Sequence, residues 1–263
     1  MNDDIKSITV WAYKHGLKLN DTKTQVMLLG TFRLLNTIDV NAIPKLKLND
    51  EELVYCDKVK NLGLTINKTL NWSDQVRETC NRVFAGVHSL KRFTRCLPQE
   101  VKAMLVKTLV FPHFNYCDAV YNDMTVELSE RLQRAQNYCV RFIFNLRRDD
   151  HVTPYFSQLS VLKLNRLREY HILCILFSIL ESHIPTYLSE RFTFLSDISE
   201  RNTRHGSSTL IIPTHRTVIY NKSFTVTASR LWNSLPDNLK GIDRRARFGA
   251  ELRAWLLGVT RGR

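Results

Sequence analysis

Short apolar stretches separated by polar turns mark the first 70 residues of the chain. Apolar positions recur at helical spacing and predict a helix over 4–15, with Gly16 as its C-terminal stop. Residues 24–30 are then expected to form a short buried strand, and the alternation at 45–49 predicts a second strand. Residues 53–67 predict one or two strands more, so this part of the chain is expected to be α+β.

After residue 70 the apolar positions repeat every three or four residues, which indicates helices. Ser73 can cap a first helix, Pro98 suits the first turn of a second, and Thr125 can cap a third. A fourth helix is expected from about Leu164 to Leu180, and the four predict a bundle with short connections. The residues expected to face inward from the first three helices are Val76, Cys80, Val83, Phe84, Val87, Leu90 and Phe93, then Val101, Met104, Leu105, Thr108 and Leu109, then Leu128, Leu132, Ala135, Gln136, Cys139, Phe142 and Ile143.

The end of the chain is less regular. The polar segment 199–208 predicts a flexible loop, whereas 217–240 and 245–257 predict two short helices. The fold class predicted from these patterns is α+β, mainly α. The residues expected to dock the last two helices are Phe224, Leu231, Trp232, Leu235, Phe248, Leu252, Trp255 and Leu256.

The net charge indicates an anionic partner. Thirty-eight Lys and Arg residues against 25 Asp and Glu residues give a net charge of +13. Such an excess favours nucleic acid as the partner, with an anionic membrane surface as the second choice.

The cysteines and the apolar segments bear on the compartment. None of the six cysteines forms a CxxC pair, so they are expected to be reduced core residues rather than disulfide or zinc ligands. The N-terminus lacks the basic and apolar regions of a signal peptide. The most apolar segment, 170–180, is shorter than the roughly 20 residues that cross a bilayer. We therefore expect a soluble intracellular protein, nuclear or cytoplasmic, with no membrane partner.

Six phrases of the sequence follow one another in an order that a known family shares. They are WAYKHGLKLNDTKTQVMLLG, VKNLGLTINKTLNW, LVFPHFNYCDAVYN, LQRAQNYCVRFIFNLRRDDHVTP, IPTYL and SFTVTASRLWNSLPDNL. In this order they resemble the C-terminal part of a non-LTR (LINE-type, jockey/CR1-like) retrotransposon reverse transcriptase, from palm motif D through motif E and the thumb. The departures are mild, with Asn61 in place of the family's Tyr and Tyr121 in place of its usual Trp.

The resemblance implies a division of the chain and a parent activity. Residues 1–70 would be a remnant of the palm sheet, 71–190 a helical thumb-like bundle, and 191–263 a C-terminal helical extension. The parent enzyme is an RNA-directed DNA polymerase that uses two Mg²⁺ ions held by palm carboxylates, all upstream of motif D. Neither MNDD, with Asp3 and Asp4, nor RRDDH fits the Tyr-x-Asp-Asp hairpin of that site. We therefore expect a truncated chain that holds no metal or other cofactor and is inactive alone.

The resemblance also assigns roles to three residues of the palm remnant. Lys23 corresponds to the lysine that faces the phosphates of the incoming nucleotide in the intact enzyme. Leu62 and Gly63 would lie at the primer terminus, where Gly permits close backbone approach. The alternatives are an exposed lysine at a strand end and an ordinary strand with a glycine bulge.

Cationic residues of the bundle are the candidates for binding template and primer. A polymerase thumb follows the duplex through phosphate contacts, which give affinity without sequence choice. The alternative is that these charges only solvate helix faces. Gln133, Gln136 and Asn137 are expected to form an inter-helix network rather than a minor-groove surface. The candidate nucleic-acid-binding residues of the bundle are Lys91, Arg92, Arg95, Arg131, Arg134, Arg141, Arg147 and Arg148.

The expected function is weak, sequence-indifferent binding of RNA and DNA by a reverse-transcriptase fragment. A first alternative is a non-catalytic protein-interaction module, with a protein partner covering the exposed palm edge. A second alternative is a decayed transposon remnant without a selected role.

Overall fold

The computed structural model describes residues 1–39, 42–49, 51–94, 96–198 and 208–261. The chain divides into two compact units, Met1–Arg77 (unit 1) and Glu78–Arg263 (unit 2). Helices dominate the described residues, and short antiparallel strand pairs accompany them, so the prediction of a mainly helical α+β protein is confirmed. The three-part division at residues 70 and 190 stays a prediction. The loop predicted over 199–208 lies almost wholly outside the described residues.

Unit 1 combines a helix with two strand pairs around a small apolar core. Helix α1 (Asn2–Lys14) confirms the first predicted helix, and α2 (Phe32–Thr37) is a short helix that was not predicted. The strands are β1 (Lys47–Leu48), β2 (Glu51–Glu52), β3 (Lys58–Asn61) and β4 (Leu64–Asn67), paired β1 with β2 and β3 with β4. The core consists of Leu46, Leu48 and Leu53, with Ile5, Leu19 and Val26 packed against them.

The strand predicted over 24–30 is wrong. Val26 makes a single parallel bridge to Tyr55, and no ladder extends it within the described residues. Each strand of the unit pairs with its neighbour in sequence, as short antiparallel hairpins do. The residues around Val26 therefore remain outside both strand pairs.

Helix α3 (Ser73–Lys91) crosses the boundary between the units, and the remaining helices belong to unit 2. Helix α8 confirms the fourth predicted helix. A π-helical turn, Val106–Val110, follows α4 directly. The helices are α4 (Gln99–Leu105), α5 (Pro112–Asn115), α6 (Val126–Phe144), α7 (Thr153–Leu159), α8 (Leu164–Ser182), α9 (Thr186–Ser189), α10 (Val218–Asn221), α11 (Phe224–Asn233), α12 (Asp237–Lys240) and α13 (Arg245–Arg261).

Helix α6 follows its predicted pattern closely. The Thr125 hydroxyl accepts a hydrogen bond from the Leu128 amide at 3.4 Å, which confirms the predicted N-cap. The helix is capped at Asn145, which has a left-handed φ of 54°. Its backbone N–H donates a hydrogen bond to the Arg141 carbonyl and closes the last turn. Its buried residues are Leu132, Ala135, Gln136, Cys139, Val140, Phe142 and Ile143.

The inward faces of α3 and α4 differ from the prediction. Phe84 of α3 is 41% exposed and Phe93, which lies beyond the end of α3, is 60% exposed, although both were predicted to face inward. After Gln99 the buried residues are Lys102, Val106 and Val110, four apart, while Met104 and Leu109 are exposed. A π turn, Val106–Val110, occupies the second half of this stretch, and the buried residues keep a four-residue spacing through it.

The C-terminal helices pack on α8 through the residues that the sequence predicted. Phe177 of α8 stacks on Phe248 of α13, with ring centroids 4.3 Å apart, and Trp232 of α11 lies 6.2 Å from the same ring. Leu252 and Leu256 are fully buried in this cluster. The docking prediction for these helices is therefore confirmed.

No helix within the described ranges has both the length and the apolar content that crossing a bilayer requires. All six cysteines are free thiols, but only Cys80 and Cys139 are buried. Cys96 and Cys117 are exposed, so the prediction that all six are core residues is wrong for these two.

The cysteines provide a test of the buried face of α6. Burial raises the pKa of the Cys139 thiol to about 12. An exposed thiol has a pKa of about 8.5, so at pH 8 the thiolate fraction of Cys139 is smaller by roughly a thousandfold. We expect iodoacetamide to label Cys96 and Cys117 and to spare Cys139, as mapped by peptide mass spectrometry. Labelling in guanidinium chloride, where all six should react, is the control. Equal labelling of Cys139 and Cys96 in the native protein would contradict the packing of α6.

Candidate nucleic-acid interface

A groove in unit 2 lies between the end of α3 and the exposed side of α6. Its volume is about 890 Å³. Helix α6 lines it with residues spaced three or four apart, which places them on one face, opposite the buried stripe. The lining residues are Phe84, Lys91, Thr94, Arg134, Asn137, Tyr138, Arg141, Phe142, Asn145, Leu146 and Arg148.

The groove collects part of the predicted cationic set. Lys91, Arg134, Arg141 and Arg148 line it, and no carboxylate is among the described residues of its lining. Arg92, Arg131 and Arg147 are exposed but do not line it, and Arg95 lies outside the described residues. Of the eight predicted bundle cations, four therefore line the groove in the described part of the chain. They make the groove a positively charged concavity.

These cations are weakly engaged by the protein itself. The Arg134 guanidinium lies 3.7 Å from Glu130, and both side chains are well exposed, so water screens this pair. Arg141 donates from Nε to the Arg147 carbonyl at 3.3 Å and from Nη2 to the Asp150 carbonyl at 3.4 Å. Because carbonyls carry no net charge, the positive charge of Arg141 remains uncompensated while its bonds hold the loop after α6.

Aromatic rings lie among the cations. Phe84 and Tyr138 meet edge to face, with centroids 5.2 Å apart at 71°. The Lys91 ammonium lies 4.6 Å from the centroid of the Tyr138 ring, which is a cation–π contact. Sequence reasoning assigned Phe84 to the core and did not consider Tyr138 at all. The three- and four-residue spacing from Arg134 to Arg141 was the signal that could have found Tyr138.

A buried lysine contacts two residues of the groove lining. Lys102 is 2% exposed, and its Nζ donates to the Asn145 side-chain oxygen at 2.9 Å. The ammonium also lies 5.7 Å from the centroid of the Phe142 ring. Since an ammonium can only donate, the amide oxygen of Asn145 faces Lys102. The amide NH₂ group of Asn145 therefore remains available as a donor.

The predicted polar network on α6 is confirmed. Gln136 is buried, accepts from Gln133 at 2.8 Å, and donates to the Leu162 carbonyl at 3.0 Å. Gln133 accepts from the Leu164 amide at 3.0 Å and donates to Asn137 at 3.0 Å. These bonds fix α6 against the start of α8. Asn137 takes part in the network and lines the groove as well.

The other predicted positions lie in unit 1. Lys23 ends a single 3₁₀ turn, Asp21–Lys23, and its amide donates to the Asn20 side chain at 3.0 Å. Because the strand at 24–30 is absent, Lys23 does not stand at a strand end as predicted. Leu62 and Gly63 form the two-residue turn between β3 and β4, with φ of 47° and 84°. Leu62 is 86% exposed, an unusual place for a leucine in the left-handed region.

A second polar cluster, Asp118, Tyr121, Arg168 and His171, lies inside unit 2. His171 Nδ1 is 2.7 Å from the Asp118 carboxylate, and the Arg168 guanidinium carbon is 5.8 Å from the centroid of the Tyr121 ring. Burial lowers the pKa of Arg168, and the Asp118 carboxylate opposes that change. Arg168 is 7% exposed and so does not join the exposed cations.

Within the described residues, no group of three or more His, Cys, Asp or Glu side chains is placed to hold a metal ion. The expectation that this chain carries no metal of its own stays a prediction. No protein-family model, no curated protein and no solved structure matches this chain.

The buried Lys102 yields a stability prediction. Within the described residues, the partners of its ammonium are one neutral amide and a ring 5.7 Å away, so removing the charge should relieve a desolvation cost. We expect Lys102→Met to keep or raise the free energy of unfolding in urea. We expect Lys102→Ala, which also leaves a cavity, to lower that free energy by about 2 kcal/mol or more. If Met proves as destabilising as Ala, the ammonium itself stabilises the fold and this account is wrong.

Proposed function

We propose that the chain binds nucleic acid through the groove between α3 and α6, without choosing a sequence. The observation that carries this is the convergence of Lys91, Arg134, Arg141 and Arg148 on one concavity whose described lining contains no carboxylate. Phosphate contacts of this kind supply affinity and release counterions, and they do not read bases. The net charge of +13 supports the same partner, because it attracts a polyanion at long range.

The six ordered phrases support a more specific origin. We propose that the chain represents the end of the palm, the thumb and the following region of a non-LTR retrotransposon reverse transcriptase. In that assignment the helices of residues 71–190, among them α3, α4, α6 and α8, form the thumb-like bundle, and the groove is the surface that would meet template and primer. The assignment rests on the sequence resemblance, and the groove is consistent with it.

A protein-contact function is the second candidate, and it concerns unit 1. Helix α1 buries only Ala12 among its residues, all of which the structure describes, and it exposes Ile8, Val10, Trp11 and Tyr13. Exposed apolar side chains on one short helix favour a binding partner. Such an association would be driven by apolar burial, and it would strengthen rather than weaken with salt.

A salt titration tests the nucleic-acid proposal. Binding to a fluorescent duplex should weaken with salt, with log K falling by about 0.9 per log salt for each phosphate neutralised. Arg134→Ala with Arg148→Ala should weaken binding and make this slope less negative by about 1.5 to 2, because two phosphate contacts are lost.

The matched control is Arg191→Ala with Arg247→Ala, which removes the same charge from exposed residues outside the groove. Arg247 pairs with Glu251 four residues on, as Arg134 pairs with Glu130. The control double variant should keep most of the affinity. Equal losses in both double variants, or no binding at low salt, would refute the groove.

Primer extension tests whether the chain polymerises on its own. The printed sequence contains no Tyr-x-Asp-Asp motif, so we expect no extension of a primed RNA template with Mg²⁺ and nucleotides. An active polymerase on the same template is the control for the assay. If extension occurs and disappears in the double variant Asp149→Asn with Asp150→Asn, the RRDDH stretch supplies catalytic carboxylates after all.

A further inference from the structure

The exposed ring of Phe84 is not explained by folding. It lies on α3 at the groove, 41% exposed, although the helix has a buried stripe that could have taken an apolar side chain. Tyr138 supports the ring from the edge, at 5.2 Å between centroids. Lys91 already lies over the Tyr138 ring, so Phe84 is the aromatic surface that remains open to a ligand.

Aromatic rings are of little use for following a duplex. The bases of a duplex are paired and stacked on one another, so a protein that follows the backbone meets phosphates and sugars only. Unpaired bases expose their faces, and proteins that bind single strands combine a cationic track with rings on which the bases stack. The groove of unit 2 has both components within one lining.

The size and polarity of the groove agree with unpaired bases. Its volume of about 890 Å³ falls in the range of sites that enclose small organic ligands, about 300 to 1,000 Å³. Thr94, Asn137 and Asn145 add neutral hydrogen-bonding groups between the cations. The Asn145 amide donor, set by Lys102, is suited to a carbonyl oxygen of a base or to a phosphate oxygen.

We propose that the groove binds the unpaired bases of single-stranded nucleic acid, with Phe84 as the stacking surface and Arg134, Arg141 and Arg148 on the flanking phosphates. This rests on the proposed nucleic-acid-binding function and names the form of nucleic acid that the site prefers.

The test compares three fluorescent ligands by anisotropy at one salt concentration, with the full chain. They are an oligodeoxythymidine of about 12 nucleotides, an abasic strand of the same length, and a hairpin duplex with the same number of phosphates. We expect the thymidine strand to bind most tightly. Phe84→Leu should weaken its binding about 5- to 150-fold, the loss of one stacked base, and leave the abasic strand and the duplex unchanged.

Phe93→Leu is the control, because Phe93 is also exposed but does not line the groove. Thermal unfolding of both variants should stay close to that of the parent, because leucine keeps an apolar side chain at each position and both rings are partly exposed. Tighter binding of the duplex, or an equal effect of Phe84→Leu on all three ligands, would overturn the single-strand inference and leave phosphate binding intact. Absence of binding to any ligand would overturn the proposed function itself.

Discussion

The burial of one face of α6 is the constraint on which the groove of unit 2 depends. Leu132, Ala135, Cys139 and Ile143 are inaccessible to solvent or nearly so, which fixes the rotation of the helix about its axis. With that rotation fixed, residues three and four apart on the other side must share the opposite face. The cations and Tyr138 of the groove are therefore placed by the apolar packing behind them, and no contact among the cations is needed to assemble them.

Two sets of hydrogen bonds fix the position of α6 along its own axis, which apolar packing alone does not specify. Apolar contacts tolerate sliding along the helix axis, whereas hydrogen bonds do not. Gln133 and Gln136 bind the backbone at Leu162 and Leu164, which fixes the axial position of α6 at its middle. Lys102 and Arg141 hold the end of the helix and the loop beyond it. The groove thus lies between two fixed points and should change little when a ligand enters.

The elements that could be predicted from the sequence are those with a regular spacing of apolar residues. The buried face of α6 and the docking of α13 were predictable, because plain α-helical spacing decides them. Lys102 was not predictable in that way, because a pattern of apolar positions does not mark a lysine as buried. In the candidate site, the cationic residues were predicted from their charge. Phe84 was missed, because a pattern of apolar positions cannot distinguish a ring that packs inward from one that stays partly exposed.

Phe84 and Lys102 both have a solvent exposure opposite to the one that folding favours for their residue type. Folding favours a buried phenylalanine and a solvated ammonium, and unit 2 has the reverse of both at one groove. A buried charge can be tolerated for structural reasons when a carboxylate lies near, as Asp118 does for Arg168. In the part of the chain that the structure describes, the partners of Lys102 are the neutral amide of Asn145 and the Phe142 ring, and both residues line the groove. Departures from favourable burial are expected at functional sites, and these two are the reason to test the groove as one.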